Sequence, residues 1–112
     1  MKGTQLGEFE ELVLLTIGAL QEDAYGVAIK LEIESRAKRK PSIGALHSAL
    51  SRLSDKGFIH SHEGGATKIR GGRKKRFYTI SASGKRALVT ANELRNELFN
   101  LIPDLKLNAS QP

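Results

Sequence analysis

The spacing of apolar residues predicts two helices in the first half of the chain. Residues 9–20 are apolar on most of their circumference after Glu11 and contain no proline, which predicts a helix covered on more than one side. Residues 43–56 place their apolar side chains on one stripe, formed by Leu46, Ala49, Leu50 and Leu53. Ser42 is a suitable N-cap for this helix, and Gly57 is typical of the position after a helix end. Residues 43–56 are therefore the clearest helix of the chain.

Residues 25–38 have two interpretations. Four apolar residues alternate there with period two, which is typical of a strand: Val27, Ile29, Leu31 and Ile33. The segment is also rich in Ala, Lys, Leu and Glu, which favour helices and are depleted in strands. We interpret it as a helix, with the strand as the alternative. The inner face of this helix would comprise Gly26, Ile29, Lys30 and Ile33.

The second half of the chain predicts a hairpin followed by a long helix. Residues 58–62 and 76–80 have the composition of short strands, and the loop between them contains two glycine pairs. Ser81 is placed to cap a final helix that begins near Ala82, and Pro103 ends it near Leu101.

The final helix carries a coiled-coil-like seam. Its apolar residues recur at spacings of 4, 3, 4 and 3, at Ala87, Ala91, Leu94, Leu98 and Leu101. We expect this seam to pack against a second subunit, because little other apolar surface of the chain is left to cover it. The alternative is packing on the chain's own first helix.

The positive charge is concentrated in the middle of the chain. Residues 36–76 hold twelve Lys or Arg and two acidic residues, a net charge of +10, whereas the remaining six basic and ten acidic residues leave −4. Six of the nine residues 68–76 are basic. Such a field is suited to binding a polyanion. The alternative is an ordinary solvated face.

The composition excludes several classes of protein. The chain has no cysteine, so neither disulfides nor thiolate metal sites contribute. No apolar run reaches the about 18 residues of a membrane span. The acidic N-terminal residues are unlike a signal peptide. We therefore expect a cytoplasmic protein with no membrane contact.

No catalytic or metal-binding pattern is visible in the sequence. Gly71 to Lys74 lacks the spacing of a phosphate-binding loop, and Ser35 with Lys38 matches Ser-x-x-Lys without the other motifs of a hydrolase. His60 and His62 share one strand face, but a metal there would need a further ligand. The sequence predicts no enzyme, no cofactor and no metal.

The order of elements predicts a fold that is mainly α with a small β-hairpin. Three helices, a hairpin with a basic loop and a last helix form a winged helix-turn-helix with an added dimerisation helix. Residues 1–81 would form the DNA-binding domain, and residues 82–112 the dimerisation helix and a frayed tail.

Six short motifs carry a resemblance to a known family. They are Leu12-Val13-Leu14-Leu15, Tyr25-Gly26, Ser42-Ile43-Gly44 through Leu50-Ser51-Arg52-Leu53, Lys56-Gly57-Phe58-Ile59, Gly72-Arg73-Lys74-Lys75-Arg76-Phe77-Tyr78, and Ser81-Ala82-Ser83-Gly84 before Ala87-Leu88. With these motifs in this order, the chain resembles the short subtype of the PadR family of bacterial transcriptional regulators, which has one C-terminal helix. The resemblance implies a homodimer that binds an inverted repeat in double-stranded DNA, usually as a repressor. Relatives can respond to small molecules, so the resemblance also allows an unidentified small-molecule effector as a partner.

The predicted DNA interface combines three groups of residues. The helix at 43–56 would enter the major groove and present Ser42, Ala45, His47, Ser48, Ser51 and Arg52. The turn before it would contact the backbone through Lys38, Arg39 and Lys40. The hairpin, or wing, would contact phosphates or the minor groove through Lys68, Arg70, Arg73, Lys74, Lys75 and Arg76. Leu12 and Leu15 of the first helix join the seam in the predicted dimer interface.

One residue departs from the pattern that the resemblance implies. His47 stands where the family usually has a tyrosine that is associated with DNA contact, and Ser48 follows where proline is frequent. Histidine can donate to a phosphate or a base edge, so operator preference is expected to differ. The alternative function is a winged-helix module that binds RNA or protein without operator specificity.

Overall fold

Four helices and a two-stranded hairpin follow one another in the computed structural model, which describes residues 5–64 and 75–105. They are α1 (Glu8–Leu20), α2 (Gly26–Ala37), α3 (Ile43–Asp55), β1 (Ile59–Gly64), β2 (Lys75–Ile80) and α4 (Ala82–Leu101), with a short 3₁₀ turn at Gln21–Asp23. This confirms the predicted fold class and order of elements. No helix within these residues has the length and apolarity that crossing a bilayer requires.

The segment with two interpretations is a helix. Ile29 and Ile33 are buried on the inner face of α2, whereas Val27 and Leu31 are more than half exposed. The period-two alternation therefore arose because two of the four apolar residues lie on the outside of a helix. Lys30 forms an ion pair with Glu34 one turn later, and such pairs support a helix and not a strand.

The core is built around α1. Helix α1 packs against α2, α3 and β2, and the first half of α4 packs on the same core. The buried apolar residues are Val13, Leu14, Ile17, Ala24, Ile29, Ile33, Leu46, Ala49, Leu50, Leu53, Phe58 and Ile59. The predicted stripe of the third helix is confirmed, since all four of its residues are among them. Burying that stripe turns the opposite side of α3 toward solvent.

The hairpin is antiparallel, with Ile59 opposite Ile80 and Gly64 opposite Lys75. The predicted strands were slightly misplaced: β1 begins one residue later and ends two residues later than expected, and β2 begins one residue earlier. A bridge between Tyr25 and Phe77 ties β2 to the segment before α2. The hairpin is thus attached to the helices along its inner edge.

Two glycines shape the junction of α3, the hairpin and α4. Gly57 has a φ of 78°, a left-handed conformation that ends α3 and favours glycine. Its carbonyl accepts hydrogen bonds from the hydroxyls of Ser81, at 2.6 Å, and Ser83, at 2.8 Å. Ser81 also caps α4, because its hydroxyl accepts from the backbone N–H of Gly84 at 3.0 Å. At Gly84, an added Cβ would lie 2.2 Å from the carbonyl oxygen of Phe58.

Replacing Gly84 with alanine should therefore destabilise the protein, although alanine usually favours a helix. The new methyl group meets backbone and not a flexible side chain, so we expect a loss of about 2–3 kcal/mol in the free energy of unfolding. Gly26→Ala is the matched control, because a Cβ at this helical position has no neighbour within 4 Å. Urea unfolding of both variants would check this, and equal stability of the two would contradict the close packing at Gly84.

Candidate nucleic-acid interface

The solvent side of α3 carries the predicted reading surface. Ser42, Ala45, His47, Ser48, Ser51 and Arg52 are all exposed. Ser42 caps the helix as expected, with its hydroxyl accepting from the backbone N–H of Ala45 at 3.0 Å. The six residues therefore lie on one continuous helix surface.

Small side chains form the middle of this surface. With 3.6 residues per turn, Gly44, Ser48 and Ser51 lie opposite the buried stripe, while His47 and Arg52 lie about 140° apart on its two flanks. Short side chains allow a helix backbone to come close to the floor of a groove, and the longer flanking side chains then reach toward its walls. The surface has the shape of a groove-reading helix with two longer polar edges.

The basic turn between α2 and α3 contains one cation that is fixed by an ion pair and two exposed lysines. Nη1 of Arg39 is 2.7 Å from Oε2 of Glu8, and its guanidinium lies 4.8 Å above the Phe9 ring. This hydrogen bond lowers the pKa of Glu8. Lys38 and Lys40 are exposed, and neither has an ion pair within residues 5–64 and 75–105. The turn thus offers two lysines to a polyanion.

Arg52 and Lys56 share a buried carboxylate of α1. Glu10 is only 6% exposed, and its Oε2 accepts from Nε of Arg52 at 2.6 Å. Its Oε1 accepts from Nζ of Lys56 at 2.6 Å and from the backbone N–H of Gly7 at 3.1 Å. Burial alone would raise the pKa of Glu10, but the hydrogen bonds from Lys56, Gly7 and Arg52 outweigh it and hold the pKa below its usual value. The carboxylate is therefore ionised at neutral pH.

The hairpin cations within the described residues lie at the base of the wing. Nζ of Lys75 is 4.1 Å from the centre of the Tyr25 ring, a cation–π contact. Arg76 donates from Nη1 to the hydroxyl of Ser61 at 3.0 Å and lies 3.7 Å from the carboxylate of Glu63. The other predicted wing residues, Lys68, Arg70, Arg73 and Lys74, lie outside the described residues.

The predicted dimer surface divides into a covered and an exposed part. Leu12 and Ala87 are partly buried against the core of their own chain, and Ala91 is half-buried. The remaining residues are at least half exposed: Leu15, Leu94, Leu98 and Leu101. Beside them lies a groove of about 520 Å³ between the N-terminal segment and α4, lined mainly by apolar side chains. The C-terminal half of α4 therefore presents an uncovered apolar side.

In the part of the chain that the structure describes, no group of three or more His, Asp or Glu side chains is arranged to hold a metal ion. His62 instead stacks on the Phe77 ring at a centroid distance of 5.8 Å.

The sequence matches the family model described as the transcriptional regulator PadR-like family over residues 13–90, which is more than half of its length. The chain belongs to the PadR-like family. Members of this family are transcriptional regulators and not enzymes, as the sequence predicted. No curated protein matches the sequence significantly.

Solved structures of PadR-like proteins share the fold of this chain. A PadR-like transcription factor from Bacteroides fragilis aligns with a TM-score of 0.68 and 20% identity over 80% of this chain and 82% of the other. A PadR-family regulator from Clostridium difficile gives 0.65 and 22%, over 82% and 95% of the two chains. Bacillus subtilis PadR in complex with operator DNA gives 0.61 and 22%, over 73% of this chain and 45% of that one. At these identities the likeness shows the winged-helix fold.

One contact of the candidate interface was not apparent from the sequence. The helical pattern of residues 43–56 predicted that Arg52 lies on the solvent side of the third helix, but the contact between Arg52 and Glu10 joins residues 42 positions apart. No periodicity or local motif reports such a pair. The only local indication is the Gly7–Glu10 spacing at the start of α1, which is typical of a helix cap. Glu10 also lies outside the residues matched by the family model.

Glu10→Gln should destabilise the protein at neutral pH by about 1–3 kcal/mol, because the amide leaves two cations without a charged acceptor. The folded chain lowers the pKa of Glu10. The stability that the Glu10 carboxylate contributes to the fold is therefore complete above its ordinary pKa of 4.5, and it is lost as the pH falls through the lower pKa of the folded chain. Urea unfolding of both proteins should give a constant difference at pH 6–8 that shrinks in acid. A difference that is small at every pH would show that the contact is as weak as an exposed ion pair.

Proposed function

We propose that this PadR-like regulator binds an inverted-repeat operator in double-stranded DNA as a homodimer and represses transcription. The observation that carries the proposal is the exposed surface of α3, with small residues in its middle and His47 and Arg52 on its flanks. A major groove about 12 Å wide admits such a helix. The Bacillus subtilis relative was solved in complex with operator DNA, which supports the same use of the fold here. Repression is the usual role in the family that the sequence resembles.

The cations around α3 would supply affinity without choosing the site. Lys38 and Lys40 precede the helix and have no ion pair among the described residues, so they suit contacts to phosphates. The wing, including Lys75 and Arg76 at its base, would add further phosphate contacts. With few long side chains on the face of α3, sequence choice would also depend on the shape of the DNA.

The homodimer is proposed from α4. Its first half packs on the core, while Leu94, Leu98 and Leu101 are 56%, 54% and 72% exposed in the protomer. An apolar seam of this spacing is suited to a second copy of the same helix. Residues 82–112 would thus form the dimerisation segment, attached to a DNA-binding domain of residues 1–81.

Selection of duplexes from a random-sequence library by the wild-type protein tests this function. We expect enrichment of an inverted repeat whose half-sites lie about one helical turn, or ~34–36 Å, apart. Gel shifts would then compare the selected duplex with unrelated DNA and with structured RNA, whose narrow major groove excludes α3. Binding only to RNA, or to no nucleic acid, would overturn the proposal in favour of an RNA- or protein-binding module.

Replacing Arg73, Lys74 and Lys75 together with alanine should weaken binding to all duplexes alike. If the dimer neutralises about 6–10 phosphates, wild-type affinity falls by about 10³–10⁵ between 50 and 200 mM salt, and the variant should show a flatter dependence. Titrations at four salt concentrations would measure this slope. His47→Ala is the contrasting variant, since it should change which sequence is preferred and leave the slope nearly intact. An unchanged slope in the triple variant would contradict the wing assignment.

Replacing Leu94 and Leu98 together with glutamate should convert the dimer to monomers. Both side chains are exposed in the protomer, so the charges should disturb association and not the fold. Val89→Glu is the control, because Val89 is 55% exposed on α4 but lies off the seam. Sedimentation equilibrium would give the mass. A double variant that stays dimeric while Val89→Glu dissociates would place the interface on the other side of α4.

A further inference from the structure

The two cations that share Glu10 are bound in different ways. Lys56 is 16% exposed in its side chain, and its Nζ donates both to Glu10 and to the backbone carbonyl of Gln5 at 2.5 Å. Its donors are therefore largely taken up by the fold. Arg52 is 51% exposed and uses Nε for Glu10. A guanidinium has five N–H donors, and the other four of Arg52 have no hydrogen-bond partner among the residues that the structure describes.

The hydrogen bond from Nε to Glu10 restrains the Arg52 side chain at the edge of the exposed α3 surface. Arg52 lies on the flank of the α3 surface nearest α1, and Glu10 is held in turn by Lys56 and by the N–H of Gly7. A free arginine side chain loses rotamer freedom when it binds, and this loss weakens binding. A guanidinium already held at one nitrogen avoids most of that loss. Its exposed edge keeps the paired N–H geometry that matches a phosphate or a guanine.

We propose that Glu10 is a positioning residue of the DNA interface, which holds Arg52 so that a pair of its remaining N–H donors meets an operator phosphate or guanine. This inference rests on the proposed DNA-binding function. A second role for the same contact predicts the opposite sign: if Glu10 only neutralised Arg52, removing its charge would strengthen binding to every polyanion. The direction of the change thus distinguishes positioning from masking.

A double-mutant cycle between Glu10 and Arg52 tests the proposal. The variants are Glu10→Gln, Arg52→Met and both together, each titrated by fluorescence anisotropy with the selected duplex and with a scrambled duplex. Glu11→Gln is the matched control, since Glu11 is the next residue of α1 and pairs with Arg95 of α4, away from α3. Thermal unfolding of each variant fixes a temperature at which all of them are folded.

We expect Glu10→Gln to weaken binding to the selected duplex about 3- to 10-fold, in line with the cost of ordering one long side chain. In the Arg52→Met background the same change should give no loss, and Glu11→Gln should bind like the wild type. Stronger binding by Glu10→Gln, or an equal loss in both backgrounds, would overturn the inference. If the wild type binds the selected duplex and Glu10→Gln binds it as well as the Glu11→Gln control, the positioning role is overturned but the proposed function is not. If the wild type binds no duplex, the proposed function is overturned as well.

A further variant keeps the proposal testable if Glu10→Gln unfolds. Arg52→Lys retains the charge at an exposed position, so it should not affect folding, but an ammonium lacks the planar fork that contacts Glu10 and a ligand at the same time. We expect Arg52→Lys to lose affinity about as much as Arg52→Met and to discriminate less between the two duplexes. Wild-type affinity and discrimination in Arg52→Lys would show that only the charge matters, which would overturn the positioning role.

Discussion

A buried carboxylate stays ionised only while cations and N–H donors are held beside it, and Glu10 imposes this constraint on the start of α1. Its partners come from the last turn and end of α3, through Arg52 and Lys56. Helix α3 is thus fixed to α1 at its C-terminal end by charge, while its apolar stripe packs on the core. Both contacts hold α3 in the same rotation about its own axis, in which the side opposite the stripe faces outward.

The same junction passes this constraint on to the rest of the chain. Lys56 is followed by Gly57, whose left-handed conformation ends α3 and directs the chain into the hairpin. The carbonyl of Gly57 then anchors Ser81, the cap of α4. The close approach of Gly84 to Phe58 leaves α4 little freedom to tilt. The exposed surface of α3 and the exposed seam of α4 are therefore held in one fixed relation through a few consecutive residues. In the proposed dimer, this relation would set how the two α3 helices are placed on one duplex.

Local patterns predicted most of the fold, and contacts distant in sequence account for the rest. The caps at Ser42 and Ser81 and the stripe of α3 depend on residues within one or two turns, so the sequence displays them directly. Strand ends depend on the pairing partner, and this is why the pairing of Gly64 with Lys75 was missed. The sequence placed Arg52 on the side of α3 that is exposed in the structure, but its restraint by Glu10 follows only from the packing of α1 on α3. Lys68, Arg70, Arg73 and Lys74 lie outside the described residues, so their place on the wing stays a prediction.

The acidic residues of α1 also explain why net charge alone is a poor measure of the proposed DNA interface. Glu8 and Glu10 engage Arg39, Arg52 and Lys56, three of the twelve cations of the basic region. Two carboxylates against three cations leave a positive charge, so pairing lowers the field without removing it. The pairs also orient the two arginines, since a guanidinium that is held at one nitrogen presents its other nitrogens at a defined place. Lys38 and Lys40, which have no ion pair among the described residues, would attract any polyanion, whereas Arg52 held by Glu10 would favour a partner whose acceptors match its position.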